Sequence, residues 1–227
     1  MNRKLFLATT GAVVAASGAA RAADVPGGTD LIERRADFHE GRFAAVASRA
    51  SDVRQLWDNA ALRPGVLTNI KNALNSLQFG FGYDPARINV VAVNHGPSTL
   101  YTYNDYLWEK YKLGDFFDVR DAGGTRIARN AFLASKSAPD APDAERLQDT
   151  GIVTLQARGV TFMTCHTAVA EQSLALIKAG LARDSSPAAV MADILTNLIP
   201  GALVIPGGAA TIAVLQQKYA FSYATVQ

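Results

Sequence analysis

One thiol is the most chemically distinctive group in this chain. The stretch GVTFMTCHTAVAEQSLALIKAGL, residues 159–181, holds the single cysteine, Cys165. A β-branched and aromatic segment runs into Thr164-Cys165-His166-Thr167, after which Ala170, Leu174, Ile177 and Leu181 keep the spacing of an amphipathic helix. Cys165 is therefore expected where a strand hands over to a helix. There the positive end of the backbone dipole and the unpaired N–H groups of the first turn favour thiolate over thiol. This predicts a partly exposed, low-pKa nucleophile. The bland reading is a buried cysteine that packs like alanine.

Two other apolar runs end in residues able to join that chemistry, Asn94-His95-Gly96 and Pro206-Gly207-Gly208. His95 can stabilise a thiolate, carry protons or bind an anionic group, or it can be a hydrogen-bonded loop residue. His166 follows the cysteine directly and can point away from it. Gly207 and Gly208 let backbone approach a ligand closely, with the N–H groups of the next helix behind them, or they form a simple tight turn. Asn94, His95, His166, Gly207 and Gly208 are the substrate-binding candidates around Cys165. No role falls to His39.

The elements that must position these residues read as alternating strands and helices. INVVAVN, residues 88–94, is a near-continuous apolar run suited to a strand covered on both faces, and residues 161–164 and 203–205 are shorter runs of the same kind. Helices are expected after Pro64, after Pro97-Ser98 up to Gly114, near residues 152–158, after Ser186-Pro187 and over 209–218, with a last strand in AFSYATV. Such alternation implies a parallel α/β sheet, in which ligands collect outside the carboxyl ends of the strands. The three runs are expected to be neighbouring strands, bringing Cys165, His95 and Gly207 to one sheet edge. SKSAPDAPDAE, residues 135–145, has the bias of a mobile surface loop. Tyr101, Tyr103, Tyr106, Trp108 and Tyr111 are expected to form an interface or pocket wall.

The first 22 residues have a basic start, an apolar middle and a small-residue exit at Ala20-Arg21-Ala22, which predicts a signal peptide and a mature chain from Ala23. Arg3-Lys4-Leu5-Phe6-Leu7 is similar to the twin-arginine pattern with one Arg replaced by Lys. The expected destination is the periplasm. Cleavage takes three positive charges off the formal +2 and leaves −1, so no electrostatic case for nucleic acid survives. About 205 residues remain, enough for one domain with a core, and no later run approaches the ~20 apolar residues of a membrane span. A lone cysteine in an exported chain has no internal disulfide partner. The expected organisation is a leader at 1–22, a helical or irregular extension at 23–63 and an α/β domain at 64–227.

INVVAVNHG as first strand, VTFMTCHTAV with its cysteine just after a later strand, and the tail IPGALVIPGGAATIAVLQQKYAFSYATV together resemble the DsrE/DsrF-like family of sulfur-relay proteins, in particular exported members with a twin-arginine-type leader. The likeness covers residues 69–226. It implies a three-layer, doubly wound parallel α/β sheet of DsrE/flavodoxin-like topology and assembly into homotrimers or a multiple. It also implies a cysteine that accepts sulfane sulfur as a persulfide, and Cys165 alone can be carried over in that role. The chain lacks the Arg-Gly pair that follows the cysteine helix in cytoplasmic members, and Lys218-Tyr219-Ala220 stands where the tail usually has Gly-Tyr.

The expected function is thus periplasmic sulfur handling. Cys165 takes sulfur from a small sulfur compound and passes it to a thiol-bearing partner, with no cofactor and no metal. The alternative is a non-catalytic oligomeric module that binds a small ligand or anion in the same cleft. A third reading is a Cys/His metal site from Cys165, His166 and His95.

Overall fold

Three buried runs of hydrophobic residues set the architecture. In the computed structural model, which describes residues 31–226, the expected leader and its cleavage site lie outside the described residues. The chain runs α1 (Glu40–Ala47), β1 (Val53–Asn59), α2 (Gly65–Asn75), β2 (Ile88–Asn94), a 3-10 segment (Gly96–Thr102), α3 (Asp105–Lys110), α4 (Leu113–Phe116), α5 (Asp143–Arg146), α6 (Ile152–Ala157), β3 (Val160–Cys165), α7 (His166–Lys178), α8 (Pro187–Thr196), β4 (Leu203–Ile205), α9 (Gly208–Tyr219) and β5 (Ser222–Thr225).

The five strands form one parallel sheet in the order β4-β3-β2-β1-β5. This is a doubly wound α/β fold, as the alternation of elements predicts. Every residue of β2 is buried, which is why that strand reads as a continuous apolar run. The strand beyond β1 is the last of the chain, where the flavodoxin order 2-1-3-4-5 places the second.

This order decides where the helices go. From β1 to β4 each connection steps the same way across the sheet, and from β4 the chain crosses back to lie beside β1. Right-handed crossovers then send the helices after β1, β2 and β3 to one face and α9 to the other. Two separate hydrophobic clusters match this. One packs Leu67, Ile70, Trp108, Val169, Leu176 and Ile194 on Val90, Ala92 and Phe162. The other packs Ala47 and Leu215 on Leu56, Val91, Val93 and Met163. Adjacent strands whose chains leave to opposite faces open a crevice between their carboxyl ends. Here those strands are β3 and β4.

Four expectations need correction. Residues 53–59, placed by sequence in a helical or irregular extension, are β1, near the centre of the sheet. Its polar positions Arg54, Gln55 and Asp58 broke the apolar run that marks a buried strand. The continuous helix after Pro97-Ser98 is instead a 3-10 segment, a break at Tyr103-Asn104, and α3 capped by the Asn104 side chain. Its aromatics are core rather than interface, with Tyr101, Tyr103, Trp108 and Tyr111 at most 3% exposed and only Tyr106 presented outward. The loop after Ala134 is also tethered, because the Asp149 carboxylate accepts from Ser135, Lys136, Ser137, Gly151 and Thr154. Burial alone would raise the pKa of Asp149, but these donors outweigh it and hold the carboxyl well below the usual range.

Where the strands end, the sheet carries a polar row. Asn59, Asn94 and Thr164 are register partners across β1, β2 and β3. The Asn94 amide accepts from Asn59 Nδ2 at 2.9 Å and donates to the Met163 carbonyl at 3.0 Å, with no exposure to solvent. Asn94→Ala strands both partners in the core and is expected to lower the unfolding free energy by about 2–4 kcal/mol, read as a drop in urea midpoint at unchanged slope.

Candidate functional site

Cys165 is the last residue of β3 and the N-cap of α7. Its Sγ accepts from the Ala168 N–H at 3.4 Å; the Gly208 N–H lies close enough to favour the thiolate, as to a lesser degree does that of Thr167, which donates to the Pro206 carbonyl at 3.3 Å. Ala168 and Thr167 belong to the first turn of α7, and Gly208 opens α9. The two helices that part to opposite faces of the sheet therefore aim their N-termini at one sulfur. Backbone N–H groups so placed form a cradle for negative charge.

Solvent exclusion works against that cradle. Cys165 is 4% exposed. Burial pushes its thiol above the ordinary 9.0, the N–H donors of Ala168 and Gly208 offset only part of this, and the Glu171 carboxylate adds to the rise. The expectation of a partly exposed, low-pKa thiol is corrected here: the strand-to-helix junction does supply the donors, but loss of water outweighs them.

His95 follows β2 and reaches the same place. Its ring lies against Gly208 so closely that a Cβ on that glycine would sit 2.7 Å from His95 Cγ. Its Nε2 pairs with Asp58 Oδ1 at 2.7 Å, and Asp58 Oδ2 accepts from the Tyr223 hydroxyl at 2.6 Å. Gly208 thus touches both Cys165 and His95, and only glycine fits there. Gly207 is under no such demand, since a Cβ on it would meet Thr167 Oγ1 at an ordinary 3.9 Å.

Comparison with protein-family models, with curated proteins and with solved structures finds no match to this chain.

Of the residues singled out by sequence, Cys165, His95 and Gly208 come together, with Gly207 beside them. Asn94 does not line the crevice, because its amide is used between strands. His166 turns away from the cysteine, with Nδ1 2.9 Å from the Glu33 carboxylate and its ring edge-on to Phe38. Asp58, Tyr223, Glu33 and Thr167 were not anticipated. Asp58 becomes findable once VRQLWDN before Arg63-Pro64 is read as a strand leading into a helix. Among the described residues no three His, Cys, Asp or Glu side chains gather as metal ligands, and no helix is long and apolar enough to cross a membrane.

A polar network fixes this geometry. Gln172 of α7 donates to the Gly96 carbonyl at 2.8 Å and accepts from the Tyr103 hydroxyl, while Thr164 bonds Thr102 at 2.6 Å. Gly96 has φ +55°, and a Cβ there would come within 3.0 Å of the Ala60 carbonyl, so the turn that delivers His95 depends on glycine.

Because the thiolate is the reactive form, iodoacetamide labelling of the native chain is expected to climb as pH passes 9.0, with no plateau near neutrality. The folded-state pKa lies above the unfolded one, so the contribution of Cys165 to stability is full below the unfolded value and lost as pH rises through the folded one. Urea titrations of wild type and Cys165→Ala across that interval check the sign: the alkaline decline should be shallower in the variant.

Proposed function

We propose that this protein is an exported, periplasmic sulfur carrier of the DsrE-like kind, which accepts one sulfane sulfur on Cys165 and relays it to another thiol. The observation that supports this reading best is the convergence of the α7 and α9 N-termini on the single cysteine, at the crevice between β3 and β4. The likeness of VTFMTCHTAV and the carboxyl-terminal tail to sulfur-relay sequences points the same way.

The reaction is redox-neutral overall. Ionised Cys165 attacks the outer sulfur of a persulfide, a new S–S bond forms at Sγ, the donor's S–S bond breaks, and the electron pair leaves with the donor thiolate. With thiosulfate the leaving group is sulfite. The cysteine proton goes to solvent or to His95, whose ring is oriented by Asp58. Once formed, the persulfide carries its charge on the terminal sulfur, one S–S bond of ~2.05 Å beyond the buried Sγ. The helix N-termini favour that charge, and moving it outward reduces the desolvation that keeps the resting thiol protonated.

Assembly into homotrimers or a multiple belongs to the same reading. The aromatics at 101–111 lend it no surface, being mostly inside the chain. The burial of Cys165 favours a second reading, a small-ligand or anion-binding module without turnover, in which the thiol is packing.

Intact mass measurement separates the two. After exposure to polysulfide or thiosulfate the full chain is expected to gain the mass of one sulfur atom, to lose it on reduction, and to gain none as Cys165→Ser. A wild-type chain that never gains sulfur, and whose cysteine labels only after denaturation, would leave the binding module as the better account.

A further inference from the structure

The segment preceding α1 crosses the β4 end of the sheet, and beneath it lies a cleft of about 460 Å³. The cleft floor is apolar, formed by Val204, Ile205, Ala210 and Val214, and Phe38 walls it. Glu33, Arg34, Arg35, His39 and Glu40 supply its charged and polar lining, and the Glu33 carboxylate closes one end, standing between the cleft and His166 and Thr167 behind it. This carboxylate shares the Thr167 hydroxyl proton with the Pro206 carbonyl, each 3.0 Å from Oγ1, and pairs with His166 Nδ1 at 2.9 Å, on the first turn of the 13-residue helix α7. The Glu33 and His166 side chains are only 18% and 12% exposed.

Beyond these bonds, the covering segment is held by the Phe38 ring edge-on to His166. None of residues 31–40 is buried, and the 3-10 turn Arg35–Asp37 places no side chain in the core. A structural cover would close onto the apolar floor at the density of a protein interior. This one spans an opening of the size that ligand sites have.

We propose that the cleft is a binding site for a small organic anion, with its apolar body on Ile205, Ala210 and Val214 and its carboxylate or sulfonate head in the place of the Glu33 carboxylate, which bars the cleft from His166 and Thr167, and that Glu33 is an internal competitor for that position. Binding then displaces Glu33 and loosens residues 31–38. The donors suit an oxyanion because a hydroxyl, an imidazole N–H and the positive end of a helix all favour negative charge. The floor rejects a bare inorganic ion as the preferred ligand, since it offers apolar contact that such an ion cannot use.

The test is calorimetric titration of the full chain with benzenesulfonate, with inorganic sulfate and neutral benzenesulfonamide as controls. Benzenesulfonate has no transferable sulfur, so the outcome is independent of the sulfur-carrier reading, and Cys165→Ser should bind it as wild type does. Glu33→Gln keeps the shape but weakens the competitor, and is expected to tighten benzenesulfonate binding about tenfold. His166→Asn with Thr167→Val should weaken it by at least as much, and Ala210→Leu, which fills the cleft, should abolish it. Trypsin cleavage after Arg34 and Arg35 should accelerate when benzenesulfonate is present. The proposal is overturned by unchanged affinity in Glu33→Gln, by equal binding of benzenesulfonamide or sulfate, or by absence of saturable binding in both wild type and Glu33→Gln.

Discussion

The parting of chain direction between β3 and β4 is the constraint on which the site depends. Because β3 delivers its helix to one face and β4 to the other, two helix N-termini must begin side by side at the same sheet edge. Each brings backbone N–H groups that have no partner within its own helix. Elsewhere in a fold such groups find water or a capping side chain. Here the Ala168 N–H is bonded to the sulfur of Cys165, with the Gly208 N–H near it, so that Cys165 caps α7 as a serine or aspartate would but with a larger, more weakly accepting atom. A residue chosen only to cap the helix would more commonly be oxygen-bearing.

Two electrostatic effects of opposite sign meet at that sulfur, and their balance shapes what it can do. The dipoles of α7 and α9 favour an anion, whereas exclusion of water disfavours one, and exclusion wins at Sγ. In the proposed sulfur relay that ordering would keep the thiol unreactive until a donor arrives. Charge placed one bond further out escapes part of the penalty while remaining within the field of the helix ends. Under the proposed relay, the same cradle would hold a charged sulfur adduct more readily than the thiolate.

How much of this was legible in the sequence varied with the physical signal. β2, β3 and β4 could be read because both their faces are covered, which demands unbroken apolar runs. β1 could not, since Arg54 and Asp58 interrupt its run and mimic a surface segment. Cys165, His95 and Gly208 were visible as unusual residues at strand ends, a position that parallel topology makes meaningful in advance. Their partners were not. Asp58 lies 37 residues from His95, Tyr223 lies 165 from Asp58, and Glu33 lies 134 from Thr167. No local pattern encodes such pairings; only the strand order brings them together. The aromatic segment failed for a different reason, because helical spacing of tyrosine and tryptophan looks the same whether the covering surface is another subunit or the chain's own Phe132, α7 and α8.

The buried polar layer behind the site shows what holds it in register. Thr164 on Thr102, Tyr103 on Gln172 and Gln172 on Gly96 join β3, the 3-10 segment and α7 through side chains that are almost without solvent. Replacing such groups with well-packed apolar ones often costs little stability, because each hydrogen bond gained in folding replaces one to water. Apolar contacts, however, tolerate small slips that directional bonds between fixed backbone points do not. The Gly96 carbonyl is held by α7 while its neighbour His95 leans on the first residue of α9. Through this one turn, the helix that presents the cysteine and the helix that faces it are both tied to the histidine. A shift of either helix would therefore move His95 and the donors around Cys165 together, which keeps the geometry at the crevice constant without any direct bond between the two side chains.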